Sequence, residues 1–210
     1  MSNFHAHRDN LLSREQAEPL IKPYSTGIQT ICLNGLDAAN QFGLKIPELR
    51  AKMKQRTMSN ILNDAIVHEA RQFFDGKAGV RQSDEEEMFC VCIENRLAVR
   101  FKKSSDDDKT SNVKTHRQMD IASQFLKFPG WEDVTWVSVG YHLTKAGDLI
   151  DRIKIICRYF DEYLWQITIY DDTDGDGSVL VFPDVPSTPA PLERKSKVRA
   201  QNLKKPDGHG

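Results

Sequence analysis

Apolar residues recur at helical spacing in the first third of the chain and at strand spacing through most of the remainder. Within residues 57–75, Met58, Ile61, Leu62, Ala65, Ile66, Ala70, Phe73 and Phe74 fall mostly at i, i+3, i+4 and i+7. That spacing predicts an amphipathic helix, capped by Thr57 and stopped by Gly76. Just before it, Pro47 suits the first turn of another helix, and residues 48–56 are good helix formers. Residues 88–93 are apolar without alternation, the pattern of a strand buried on both faces. Glu94-Asn95 then makes a tight turn, and 96–103 alternates cleanly. Leu97, Val99 and Phe101 face one side of that strand, and Arg96, Arg100 and Lys102 the other.

Thr115-His116-Arg117-Gln118 fits a capping box opening a short helix, with Met119, Ala122, Phe125 and Leu126 inward. Phe128-Pro129-Gly130 ends it. Strand-like runs at 134–143, 149–159 and 163–170 are joined by short turns, which force antiparallel neighbours. The order of elements predicts an α+β fold, an antiparallel sheet of about five strands with two to three helices on one face. Residues 1–25 are polar, carry Pro19 and Pro23, and read as a flexible arm. Residues 26–182 form the single expected domain. Residues 183–210, with Pro183, Pro186, Pro189 and Pro191 ahead of a basic stretch, read as a disordered tail.

Composition narrows the function classes. With 39% hydrophobic and 28% charged residues among 210, this is an ordinary globular chain. Lys plus Arg (29) nearly equals Asp plus Glu (30), so no overall charge draws it to nucleic acid or to an anionic membrane. Its first residues have no apolar leader, and no apolar run approaches the ~20 residues that span a bilayer. The expectation is a cytoplasmic protein. Cys32, Cys90, Cys92 and Cys157 sit in apolar surroundings and read as buried free thiols, with Cys90 and Cys92 on one face of a strand.

The motifs that suggest catalysis or metal each lack a member. Asp172-Thr173-Asp174-Gly175-Asp176-Gly177 opens like a calcium loop, but its twelfth position is Pro183 where a bidentate Glu belongs. His68-Glu69 begins a zinc-protease motif, and Gln72 stands where the second histidine would be. Asp106-Asp107-Asp108 reads as a solvated charge cluster. No serine lies in a nucleophile elbow and no Gly-rich loop cradles phosphate. His142, sharing a strand with Trp136 and Tyr141, reads as a hydrogen-bonded structural histidine. We therefore expect no enzyme, no cofactor and no metal.

Three charged sets remain. Ala39 to Gly43, then Leu49 with Arg50, Lys52, Lys54 and Arg56, partly matches a helix-turn-helix whose second helix carries cations into a groove. Arg96, Arg100 and Lys102, with Trp136, Tyr141 and Trp165 in the sheet, could stack single-stranded nucleic acid. Asp64, His68 and Arg71 recur at i, i+4 and i+7, a charged ridge able to meet a protein partner.

A longer constellation adds to these. Arg100-Phe101-Lys102-Lys103, Asn112, Thr115-His116-Arg117-Gln118, Gln124, Phe128-Pro129-Gly130, Val139-Gly140-Tyr141 and Trp165 run through residues 88–170. This stretch resembles an uncharacterised bacterial family of antitoxin-like accessory proteins of toxin–antitoxin and phage-defence loci. The resemblance implies a protein partner, a toxin or a zinc-peptidase-like regulator, and supplies no catalytic residues. The sequence thus favours a non-enzymatic interaction protein. The alternative is a nucleic-acid-binding regulator using the helix-turn-helix-like segment or the cationic strand face.

Overall fold

A computed structural model describes residues 8–85, 88–110 and 116–172. The chain divides after Leu180, and every described residue lies in the first part. The expected tail, and the calcium-loop-like segment beyond Asp172, lie outside the described residues.

The first helix, α1 (Arg14–Ile21), occupies what the sequence suggested was a flexible arm. Ser13 caps it: its hydroxyl accepts from the Gln16 N–H, and the Gln16 carboxamide accepts in return from the Ser13 N–H. Pro19 sits inside the helix near its end, and Pro23 in the 3-10 turn Lys22–Tyr24 just after it. Neither proline detaches the segment, because Leu12, Ala17 and Ile21 are buried. The Leu12 backbone is held at both ends, donating to Thr135 Oγ1 (2.9 Å) and accepting from Trp165 Nε1 (2.7 Å).

Two long helices form an antiparallel hairpin, α2 (Ser25–Lys45) and α4 (Gln55–Phe74), linked by the six-residue α3 (Pro47–Lys52). α2 buries Ile28, Ile31, Cys32, Leu36 and Ala39, and α4 buries Leu62, Ile66, Ala70 and Phe74, each at helical period. The helices touch at Gly35, where an added Cβ would lie 2.5 Å from Ile66 Cγ1 and 2.8 Å from Ile66 Cα. Pro47 stands at the start of α3, as its fixed φ allows. α4 begins two residues before the expected Thr57, and no side chain caps it.

The sheet has six strands in sequential order: β1 (Val80–Ser83), β2 (Cys90–Ile93), β3 (Leu97–Lys103), β4 (Thr135–Leu143), β5 (Ile150–Tyr159) and β6 (Glu162–Asp171). All neighbours are antiparallel except β3 and β4, which run parallel and are joined by a crossover holding α5 (His116–Ala122). The α+β class is as expected, with β1 the added strand. Glu94 and Asn95 both take positive φ (50° and 52°), as a tight two-residue hairpin requires.

Alternation in register gives the sheet two covered faces. Leu97, Val99, Val137, Val139 and Tyr141 lie on the side of α1, α2 and α4. Cys90, Cys92, Ala98 and Trp136 lie on the other, beneath Ile121 of α5 and the loop residues Phe128 and Trp131. α5 therefore does not join the other helices on one face. Its inward set also differs from the periodic expectation. Ile121 is buried, whereas Met119 and Phe125 are exposed. The helix ends at Ala122, and Gln124 at φ 64° turns the chain, so the 3.6-residue period does not extend to Phe125.

Candidate functional site

On the α5 side of the sheet, cations are placed among strands and roofed by the segment after β3. Lys102, partly covered, and Arg100, only 5% exposed, both stand on β3. Arg100 is therefore not part of an open cationic surface, and of the strand set only Arg96 is exposed. The strand pattern gave the side on which Arg100 stands, but α5 and the crossover loop cover that side. Arg100 Nε donates to Ser138 Oγ (3.0 Å), and Nη1 donates to Gln118 Oε1 (2.7 Å). Burial, and then the neighbouring Arg158, lower the Arg100 pKa to about 10. Burial and Arg100 likewise hold the Lys102 ammonium below its ordinary value.

The three adjacent aspartates fold back over this face. Asp108 accepts from Lys154 Nζ (2.7 Å) and lies 3.5 Å from Arg152 Nη2. Asp106 and Asp151 contact the two ring nitrogens of His142, at 2.7 and 2.6 Å. Asp107 pairs with Lys109 on the surface, and the hydrogen bond from that lysine, with one from Ser105, pulls its pKa down to about 2. Asp107 and Asp106, the latter almost fully exposed beside its His142 contact, are solvated charges as expected, whereas Asp108 is drawn against the sheet and ties the loop to it. Between Arg100, Arg158 and α5 is a cavity of about 50 Å³, walled by Trp136 and Ile156 and edged by Ser138 and Gln118.

The sheet aromatics provide no stacking platform. Trp136, Tyr141 and Trp165 are all buried, and only Trp136 shares the face of Arg100. It is covered by Phe128 and Trp131, at ring-centroid distances of 5.5 and 6.4 Å.

The ridge of α4 has the geometry its spacing requires: Asp64, His68 and Arg71 are all exposed. Arg71 is already committed, however, in a two-pronged pair with Asp84 and with its guanidinium 4.7 Å from the Phe89 ring centroid. It ties α4 to both ends of the segment between β1 and β2. His68 contacts Gln72.

At the tip of the helical hairpin lie the residues of the helix-turn-helix-like segment. Arg50, Lys52, Lys54 and Arg56 are exposed. The segment is not two crossing helices: Ala39 to Gly43 lies within the last turns of α2, and α3 is too short to serve as a recognition helix. Sequence periodicity missed what accompanies the cations. Leu44 is 72% exposed, Leu49 53% and Phe42 42%, beside a shallow groove lined by Ile46, Pro47 and Leu49.

Among the described residues no cluster of three or more His, Cys, Asp or Glu side chains could hold a metal ion, and no helix is long and apolar enough to cross a membrane. Compared with known proteins, the chain matches no family model, no curated protein and no solved structure.

Proposed function

We propose that the chain is a non-catalytic interaction protein that docks a partner protein through the tip of the α2–α4 hairpin. The observation that carries this reading is the joint exposure of Phe42, Leu44 and Leu49 beside Arg50, Lys52, Lys54 and Arg56. Large apolar side chains left together in water mark a contact surface. Between positions 45 and 56 five cations face a single acid, Glu48, so the complementary surface is acidic with apolar anchors. The exposed Asp64 and His68 further along α4 extend the charged surface and would set orientation. The resemblance of residues 88–170 to antitoxin-like proteins supports a toxin or zinc-peptidase-like regulator as the class of partner.

The test is co-purification of the native complex with the parent chain, with Leu44→Glu/Leu49→Glu, and with Arg50→Glu/Lys52→Glu/Lys54→Glu/Arg56→Glu. All substituted residues are exposed, so each variant should melt like the parent. The expected result is one bound protein, identified by mass spectrometry, retained by the parent and lost from both variants. Retention in both variants would move the interface elsewhere, and Asp64→Lys/His68→Glu would then be examined. If the bound species is nucleic acid, with affinity falling steeply with salt, the regulator reading replaces this one.

A further inference from the structure

The α5 side of the sheet treats its buried cations in two different ways. Lys154 and Arg152 are given a carboxylate, Asp108, held by its own loop for that purpose. Arg100, more deeply buried, is given none: among the described residues its hydrogen-bond acceptors are the neutral Ser138 hydroxyl and Gln118 carboxamide. Arg158 approaches from β5, close enough to repel Arg100. Its Nε is buried without a hydrogen-bond partner, and its ion-pair acid, Asp161, lies 3.8 Å away, fully exposed in the β5–β6 turn. Two guanidiniums thus meet at one cavity of about 50 Å³ that has no carboxylate among its described lining residues.

An uncompensated buried charge is costly, and a second like charge adds to the cost. The space exceeds the ~10–15 Å³ that one water needs. Its uncharged polar lining is Ser138, Gln118, Gln124 and Thr110, and Trp136 and Ile156 are among its apolar lining. Guanidinium forks match oxyanions bidentately, and two of them balance a dianion.

We propose that this cavity binds a small tetrahedral dianion, inorganic phosphate or a terminal phosphoryl group, between Arg100 and Arg158. The anion supplies the negative charge that Arg100 lacks and that Arg158 meets only in the exposed Asp161 at 3.8 Å. Ser138 and Gln118 hold the Arg100 fork in position while the site is empty. The site lies on the sheet and owes nothing to the hairpin tip, so either reading can fail without the other.

The experiment uses the full chain and inorganic phosphate at 0–5 mM, with ionic strength held constant by sodium chloride. The parent should show one-site binding by calorimetry and a saturable rise in Tm of about 3 °C near ten times Kd. Arg100→Met and Arg158→Met should each abolish the rise, while Lys154→Met, outside the cavity, should retain it. If Arg100→Met does not fold, Arg158→Met and direct calorimetry on the parent still decide. Absence of saturable phosphate binding to the parent overturns the proposal, as does a rise that persists in the Arg158→Met variant. Sodium acetate is the second arm: saturable binding of acetate in place of phosphate would make this a carboxylate site and overturn the phosphoryl assignment. Adenosine monophosphate is the third, since binding tighter than that of inorganic phosphate would place the phosphoryl group on a larger molecule.

Discussion

The Gln124 carboxamide is bonded to both backbone groups of Trp136: Oε1 accepts from the Trp136 N–H at 2.7 Å, and Nε2 donates to the Trp136 carbonyl at 2.9 Å. Nε2 also donates to the Arg158 carbonyl (2.7 Å), just past the last β4–β5 pair, Val137 with Cys157. A side chain here stands in for a strand, completing the ladder where β4 and β5 part. Positive φ at Gln124 aims the carboxamide inward instead of along the surface.

Replacing Gln124 by Leu keeps much of the volume but leaves the Trp136 N–H and carbonyl buried without partners. Each orphaned group costs about 1–3 kcal/mol, so Gln124→Leu should lower the unfolding free energy by roughly 3 kcal/mol. Urea denaturation followed by tryptophan fluorescence measures it. A loss below about 1 kcal/mol would mean that water or a shifted strand replaces the carboxamide.

The hairpin depends on one close approach. At Gly35 an added methyl meets Ile66 backbone as well as side chain, so α2 and α4 must move apart. Gly35→Ala should therefore destabilise by about 2 kcal/mol, in the range of overpacked cores, despite alanine's better helix propensity. Gly43→Ala is the control: the atoms nearest its methyl would belong to the flexible Arg50 side chain, the closest at 3.2 Å. That change should be neutral or stabilise by up to about 1 kcal/mol. Equal damage from both would show that helix separation at Gly35 is not the limiting contact.

Much of the sheet is legible in the sequence because one physical rule, alternation, operates over long runs. The sides on which Leu97, Val99 and Phe101 stand, the Glu94-Asn95 turn and the β4–β6 meander obey it. The same rule locates Arg100 on its side but cannot tell that the side is roofed, since the roof comes from a non-local crossover. Residues 8–25 differ from the expected arm because the Ser13–Gln16 capping pair, the local signal for α1, prevails over two prolines that its last turn and the 3-10 turn accommodate. β1 carries only Val80 as an apolar residue among four, too little for periodicity to register. The charged ridge on α4 is legible from spacing, but the pairing of Arg71 with Asp84 depends on where β1 ends. The Arg100–Arg158 cavity joins residues 58 positions apart in separate strands, and no local pattern encodes it.

The four cysteines are free and buried, and burial sets how they titrate. It pushes the Cys90 and Cys157 thiols up to about 12 from an ordinary value of 9.0, and raises Cys32 and Cys92 as well. The unfolded chain ionises these thiols near 9 while the folded chain keeps them protonated. Their contribution is fully present below pH 9 and is lost as pH rises from about 9 to about 12. Each such thiol should remove up to about 1.4 kcal/mol per pH unit across that window. Cys90→Ala/Cys157→Ala should flatten the alkaline fall in unfolding free energy relative to the parent. An unchanged slope would place the alkaline transition on other groups. In the native chain at pH 8 an alkylating reagent should modify none of the four, and all should react in denaturant.

Asp107 and Asp108 are adjacent, alike in residue type and structurally opposite. Asp107 is on the surface, paired with Lys109, whereas the Asp108 carboxylate is 14% exposed and lies between Lys154 and Arg152. Removing the inner charge leaves two largely covered cations without their shared carboxylate, one of them with its Nε already buried and unbonded. Asn is the suitable replacement, since Asp108 holds φ at 58° and Asn tolerates that region as Asp does. The substitution therefore changes charge with little added backbone strain. Asp108→Asn should cost about 3 kcal/mol, the low end of the range for breaking one side of a buried pair, and Asp107→Asn should leave Tm unchanged. Lys154→Met combined with Asp108→Asn should recover part of the loss, because the combination removes a cation together with its counter-charge. Thermal melts of the three variants at fixed ionic strength decide it. If Asp107→Asn is as damaging as Asp108→Asn, the loop is held by its own turn and not by the ion pairs beneath it.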